Sequence, residues 1–314
     1  MIRASRTAAA AAVIGSIACG PKLVMPAPPA ADTNAIRRDL AAEAASQTRA
    51  GIQRLLAVTT RLRVAGAPLC GSRLAWIVGA EYGRAAPGEL DLAFHQALGL
   101  GDVLRVLVVL DGGPASRAGI EPGDVIVEGN GRAVDQSWEL ADELRRRTRP
   151  LELGILRGDM RRTVRLEPVA GCEADIEYAI GSGLRIDVGS RRAGGAVSSG
   201  FVDFARSDDE LAVITSHALA HGILGHRSTR TELDHELEAD RFGLFVAARA
   251  GYDVSVAPDL WERIAIEKPW LIAFDKGDGG QEAPHGRIGK RVPAMRAVVE
   301  AIRLARAQGL ELRP

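Results

Sequence analysis

The sequence is short of three things: net charge, long apolar runs and cysteine. Forty basic residues balance forty acidic ones among 314, so no global electrostatic field would draw in nucleic acid or an anionic membrane surface. Beyond the N-terminal twenty residues, no run of about 20 residues is free of charge, which argues against a membrane-spanning helix there. The length and the 46% share of apolar residues instead allow two modest globular domains.

The N-terminus departs from this average composition. A basic start, "MIRASR", precedes the apolar "TAAAAAVIGSIA" and then Cys19, so residues 1–19 are predicted to be an export signal. "SIACG" resembles the lipobox of bacterial lipoproteins, which implies lipidation of Cys19 and a proline-rich tether over 20–31. We therefore expect a periplasmic protein that its N-terminal lipid attaches to a membrane of the cell envelope. Ordinary signal-peptide cleavage within "APPAAD" is the alternative.

The other two cysteines, Cys70 and Cys172, form an even pair in an oxidising compartment. A disulfide between them would close a loop of about a hundred residues, worth up to roughly 4–5 kcal/mol in the chain-entropy model. Two buried free thiols are the alternative.

Residues 32–64 carry apolar side chains at helical spacing, which predicts a long amphipathic helix within an N-terminal segment 32–86. From residue 87, strand and turn signals alternate. The predicted elements are strands at 103–110 and 125–128, a helical turn at 115–118, a helix at 137–147 and a hairpin turning at Gly158-Asp159.

The stretch "GGPASRAGIEPGDVIVEGNG" resembles the "GSPAxxAGLxPGDxIxxxNG" signature of bacterial PDZ domains. The resemblance implies a small β-barrel-like PDZ domain over 87–170 that binds an extended peptide as an added strand, its ligand a C-terminal tail. The candidate loop and strand edge are Leu98, Gly99, Leu100, Gly101 and Val103. A role as a mere spacer stays open.

After Cys172 the sequence predicts one or two edge strands, and "SDDE" at 207–210 predicts a capping box that starts a helix. That helix contains "ITSHALAHGILGH", in which His217 and His221 stand four residues apart on one face. Two imidazoles so placed can bind one metal ion, and a catalytic zinc needs a third protein ligand and an open fourth position. A chance pair of exposed histidines is the alternative.

Four residues are candidates for the third ligand: His226, His235, Glu236 and Glu238. His226 lies about 140° around the helix from His221, so it points elsewhere unless the helix ends first. Glu236 opens "ELEAD" at the head of a second predicted helix, and a helical hairpin could return it to the histidines. Asp240, one turn later, could then bond the other nitrogen of the first histidine.

The pair "DDELAVITSHALAHGILGH" and "ELEADRFGLFVAARAGYD" resembles peptidase family forty-eight, the gluzincins of the HtpX and CAAX-prenyl-protease type, which include exported BepA- and LoiP-like members. The likeness covers residues 174–310. It implies Zn²⁺ held by His217, His221 and Glu236, with Asp240 orienting a histidine. "APHGRIGKR" is similar to the family's "THPSxxxR", which implies that His285 and Arg291 line the site.

By these resemblances the fold class is α+β, with the PDZ domain followed by a mainly helical metallopeptidase-like domain over 171–314 that carries a small edge sheet. The family's HExxH is degenerate here, because Ala218 stands where the motif has the glutamate that acts as general base. A methyl group cannot accept a proton, and losing a positioned base costs at least about 10² to 10⁴ in rate. As replacement bases, Glu210 is expected two turns up the helix from His217, about 10 Å away, and Glu238 is expected to point away from the site.

The sequence thus predicts a weak or inactive zinc metallopeptidase homologue that binds peptides or unfolded envelope proteins. An active metalloendopeptidase in envelope quality control, with its base supplied from elsewhere, is the alternative. A third possibility keeps the fold without the metal.

Overall fold

The computed structural model describes residues 30–84, 91–146, 150–188, 195–226, 233–269 and 287–314. The predicted export signal with Cys19, the tether up to residue 29, and His285 lie outside these ranges. No helix among the described residues is long and apolar enough to cross a membrane.

The first element is α1, Ala30–Gly66, which confirms the long helix predicted at 32–64. Its inner face buries Ala45, Leu55 and Leu62, each no more than 2% exposed, against the rest of the chain. A short 3₁₀-helix, Ala67–Leu69, then leads to Cys70. The apolar stripe therefore makes α1 a backbone against which later elements pack.

Residues 74–166 build the first sheet and its helices. Their elements are β1 Leu74–Ile77, β2 Ala80–Gly83, α2 Leu92–Leu98, β3 Arg105–Val109, α3 Pro114–Arg117, β4 Val125–Gly129, β5 Arg132–Ala133, α4 Ser137–Arg145, β6 Leu151–Arg157 and β7 Met160–Leu166. The sheet order is β2-β3-β4-β6-β7, with β5 paired to β4. The strands, helices and hairpin predicted between 103 and 166 are confirmed, and Gly158 takes the positive φ of 59° that the hairpin turn requires.

Strands β1 and β2 lie inside the segment 32–86 that the sequence predicted to be helical. β2 is antiparallel to β3, and β1 pairs with β8, Val169–Cys172, so that Leu74 faces Cys172. Each strand has only four residues, and its partner is distant in sequence. So short a segment carries no periodic signal of its own, and its pairing decides its conformation.

The second half holds a small sheet and five helices among its described residues. Its elements are β9 Ile176–Ala179, β10 Ile186–Val188, β11 Gly195–Ser198, α5 Ser199–Phe204, α6 Asp208–Leu224, α7 Leu233–Arg249, α8 Ala257–Glu267 and α9 Ile288–Ala307. The sheet order is β10-β11-β9, three strands where one or two were expected. Ser207 caps α6 as predicted, because its Oγ accepts from Glu210 N at 3.2 Å. The returning bond of the predicted capping box is displaced by one residue, since Glu210 Oε2 accepts from Arg206 N at 2.7 Å and not from Ser207 N.

Cys70 and Cys172 are joined in a disulfide, with Cα atoms 5.7 Å apart and a sequence separation of 102 residues. Both are buried, at 6% and 0% exposure. The bond ties the segment after α1 to β8, which lies in sequence between the last strand of the first sheet and the first strand of the second.

Helices α6 and α7 make a close contact at Gly243. A Cβ built there would lie 2.9 Å from three backbone atoms of Ser216 and His217, closer than a carbon atom can approach. The absence of a side chain at Gly243 therefore sets how near α7 lies to α6.

Gly243→Ala should force the two helices apart and lower the free energy of unfolding by about 1–3 kcal/mol, the usual cost of overpacking. Urea denaturation measures the change. Gly289→Ala is the matched control, because a Cβ on that helical glycine meets no atom within 4 Å, and we expect a change within about 0.5 kcal/mol. Equal effects of the two substitutions would contradict the packing argument.

Candidate functional site

His217 and His221 lie side by side on the buried face of α6. Their exposures are 2% and 1%, and their Nε2 atoms are 3.1 Å apart. The helix brings them together because residues four apart share one face. Its small and apolar neighbours bury nearly the whole helix, so both imidazoles are held away from solvent.

Glu236, 3% exposed in the first turn of α7, faces this pair. Its Oε2 lies 3.5 Å from His217 Nε2, and its Oε1 lies 3.5 Å from His221 Nε2. Among the described residues, these three side chains form a group that could hold a metal ion.

The spacing of the three ligand atoms fits a tetrahedral metal. Ligands about 2.0–2.1 Å from a tetrahedral centre lie about 3.4 Å from one another. The separations here are 3.1, 3.5 and 3.5 Å. Two imidazoles, one carboxylate and an open fourth position are the donor set of catalytic zinc sites.

Asp240 fixes the orientation of His217. Its Oδ1 lies 2.9 Å from His217 Nδ1, so that nitrogen carries the proton and Nε2 directs its lone pair at Glu236 and His221. Burial lowers the pKa of His217 below its usual value, although Asp240 and Glu236 oppose the shift. The ring is therefore neutral at pH 7, as a metal ligand must be.

Arg291, fully buried on α9, lies against both carboxylates. It donates to Asp240 through Nε (2.8 Å) and Nη2 (2.7 Å), and its Nη1 lies 3.1 Å from Glu236 Oε2. The guanidinium also stacks 3.9 Å above the ring of Trp261. Burial alone would raise the pKa of Asp240, but the charge and hydrogen bonds of Arg291 lower it on balance.

His226 contacts the second histidine, a contact that the sequence left conditional. Helix α6 ends at Leu224 because Gly225 is left-handed at φ 76°, and the chain turns back so that His226 N donates to His221 O at 2.9 Å. His226 Nδ1 then lies 3.0 Å from His221 Nδ1, and its Nε2 lies 3.1 Å from Glu238 Oε2. One tautomer set satisfies both contacts, with His221 donating to His226 and His226 donating to Glu238.

The remaining candidates for ligand or base lie elsewhere. His235 stacks on His226, with ring centroids 4.3 Å apart. The side chain of Glu238 contacts His226 and is 64% exposed. Glu210 stays at the start of α6, paired with Arg263. Ala218 is fully buried beside His217. Neither Glu210 nor Glu238, the two carboxylates considered as a replacement base, belongs to the group of three ligand side chains.

The free edge of the first sheet is not where the sequence placed it. The residues Leu98, Gly99, Leu100, Gly101 and Val103 lead into β3, which pairs with β2 on one side and β4 on the other. Of these five residues, Leu98 and Leu100 line the cavity beside β2 described next. Strand β3 therefore offers no edge to a peptide. Among the described strands, the open edge beside helix α4 is that of β2, and both line a cavity of about 780 Å³.

Comparison with known proteins identifies one part of the chain. Residues 91–167 match the family described as the PDZ domain. This segment is a PDZ domain. Strand β2 precedes the matched range but completes its sheet by pairing with β3.

Two solved structures resemble the same part of the chain. The PDZ domain of HtrA3, bound to a phage-derived ligand (FGRWV), is 25% identical over 31% of this chain and 88% of its own, with a TM-score of 0.26. The HtrA-type protease AlgW with a decapeptide is 25% identical over 31% of this chain and 30% of its own, also with a TM-score of 0.26. No curated protein matches the chain.

Asp240→Asn should lower the free energy of unfolding by about 3–5 kcal/mol at pH 7, because it leaves the buried charge of Arg291 without its main partner. Urea denaturation with a chelator present measures the loss without interference from metal. Because folding lowers the pKa of Asp240, its stabilisation is present above the unfolded value of about 3.9 and is lost as the pH falls through the folded value. The difference between variant and native protein should therefore shrink in acid.

Glu300→Gln is the control, because it breaks the exposed pair of Glu300 with Arg303, which solvent screens, so we expect a far smaller loss. A loss from Asp240→Asn no larger than this would show that the buried pair does not stabilise the fold.

Proposed function

We propose that this chain binds peptides or unfolded protein segments through its PDZ domain, and that its second domain is a zinc-binding metallopeptidase homologue with little or no hydrolytic activity. The observation that carries the second half is the convergence of His217, His221 and Glu236 at tetrahedral spacing. We also propose export and lipid anchoring through Cys19, on the sequence alone.

The three ligand side chains fit Zn²⁺, with Asp240 holding the tautomer of His217 and His226 contacting His221. When bound, zinc polarises a carbonyl group and lowers the pKa of water toward about 7. The chain's own part in hydrolysis would be to accept and return a proton beside the ligands. Ala218 cannot do this, and the carboxylates of Glu210 and Glu238 are engaged elsewhere.

The rival proposal is an active metalloendopeptidase whose base comes from elsewhere. What supports it is the sequence alone, which has further acidic residues in 227–232 and 270–286. A general base introduced at position 218 should raise proteolysis under the first proposal and leave it unchanged under the rival.

Purified native protein should bind one zinc ion, and Glu236→Gln should weaken that binding at least about 100-fold, beyond the 10- to 100-fold usual for outer partners of ligands. Gln keeps the size of the side chain but loses its charge. Competition with a fluorescent chelator measures the affinity. His235→Ala is the control, because His235 stacks near the cluster without belonging to it, and zinc affinity should change less than threefold. Absence of zinc from the folded native protein would refute the metal site.

Ala218→Glu should raise proteolysis of unfolded casein by about 10² to 10⁴ over native protein at equal zinc occupancy, because it restores a general base. Ala218→Gln is the matched control, since it adds the same bulk to the buried position without a base. Circular dichroism and zinc content verify that each variant folds. Chelator-sensitive cleavage by native protein, unchanged in Ala218→Glu, would instead favour the active enzyme.

A further inference from the structure

The cavity of about 780 Å³ beside β2 is shared between the PDZ domain and the rest of the chain. Its lining includes residues of β2 and α4 and, from the rest of the chain, residues of α1 and β9. Its volume falls within the roughly 300–1,000 Å³ of ligand sites. The peptide groove of this PDZ domain therefore does not open to bulk solvent alone but faces a second surface.

Two strand edges border this cavity. All four residues of β2, Ala80–Gly83, line it, as do the consecutive residues Ile176, Glu177 and Tyr178 of β9. Because neighbouring side chains of a strand point to opposite faces, a consecutive run means that the edge of the strand, backbone included, borders the space. Both strands are terminal in their sheets among the described residues, so each can offer backbone N–H and C=O groups to an added strand.

Carboxylates from both parts of the chain line the cavity together. Glu81 on β2 is close enough to Asp175 and Glu177 for their charges to act on it, and Arg63 of α1 lines the same cavity. Arg63 is already held by Asp175, 2.9 Å from Nη1, and by the carbonyl of Cys172. Burial, and then the charges of Asp175 and Glu177, raise the pKa of Glu81 to about 8. The other lining arginine, Arg84, lies 3.6 Å from Asp135 Oδ2, so both lining cations already have carboxylate partners. With a pKa of about 8, Glu81 is largely protonated at pH 7, and a cation bound beside it would favour its ionised form.

The rim adds apolar side chains on both walls. Trp138 of α4 is 51% exposed and Ile180, just after β9, is 57% exposed, and both line the cavity. Exposed large apolar side chains flanking a groove are common anchors for a bound chain.

We propose that an extended peptide with a lysine or arginine side chain binds in this cavity, pairing with β2 and β9 at once and placing its cation among Glu81, Asp175 and Glu177. This inference rests on the proposed peptide binding and adds the charge of the ligand and the second strand that holds it. Strand β2, at about 3.4 Å per residue, pairs with about four residues of the peptide. The bound peptide would thus connect the PDZ domain to the sheet β10-β11-β9, which packs on α6.

The probes are three hexapeptides of threonine and valine with an N-terminal fluorescein and a free C-terminus, whose two central residues are both lysine, both glutamine or both glutamate. Two adjacent copies ensure that one points at the acids, whichever register the peptide takes. Fluorescence anisotropy with the full chain should give at least about tenfold tighter binding of the lysine peptide than of the glutamine peptide, and the glutamate peptide should bind most weakly.

The double variant Glu81→Gln and Glu177→Gln should reduce the preference for the lysine peptide over the glutamine peptide to less than about threefold. Glu167→Gln is the control, because Glu167 is a 68% exposed carboxylate that does not line the cavity, and it should preserve the preference. Equal binding of the three peptides, or a preference that survives the double variant, would overturn the charge assignment but leave peptide binding intact. If none of the peptides binds, both the inference and the proposed peptide binding fail.

Hydrogen exchange tests the second strand. The lysine peptide should slow exchange of backbone amides in both 80–83 and 176–179. Slowing in 80–83 alone would show a conventional PDZ groove and overturn the bridging arrangement.

Discussion

The contact of Gly243 with the backbone of Ser216 and His217 is the constraint on which the candidate metal centre depends. Glu236, Asp240 and Gly243 recur at i, i+4 and i+7, so they share one face of α7. With the glycine seated on α6, the aspartate reaches the Nδ1 of His217 and the glutamate reaches the Nε2 atoms of both histidines. One face of α7 therefore carries Gly243, which allows the close approach to α6, Asp240, which orients His217, and Glu236, the third candidate ligand.

Charge explains why the cluster suits a cation. Two buried carboxylates, those of Glu236 and Asp240, face one buried guanidinium, that of Arg291. A buried carboxylate is costly unless it is paired or coordinates a metal. A divalent ion among the three ligand atoms would give Glu236 a second partner besides Arg291.

The sequence predicted those parts of the structure that local spacing decides. The histidines four apart, the acids of "ELEAD" four apart and the turn glycines of the PDZ domain all lie on the elements expected of them. The contact of His226 with His221 could not be predicted firmly, because it requires α6 to end at Leu224, where the left-handed Gly225 turns the chain back. Strand β2 and its cavity were missed, because four residues paired across some twenty-five others leave no periodic pattern to read.

A metal without a general base still has a physical consequence. Because the unfolded chain has no preformed site, a zinc ion held between α6 and α7 would stabilise the folded state by its binding free energy. Ile176 of β9 and Val197 of β11 belong to the same hydrophobic core as Ala218 and Leu219 of α6. The strand proposed to hold the peptide is therefore packed on the helix proposed to hold the metal. In such a chain the proposed metal would hold α6 and α7 together beside the proposed peptide-binding strand, a role that needs no general base at position 218.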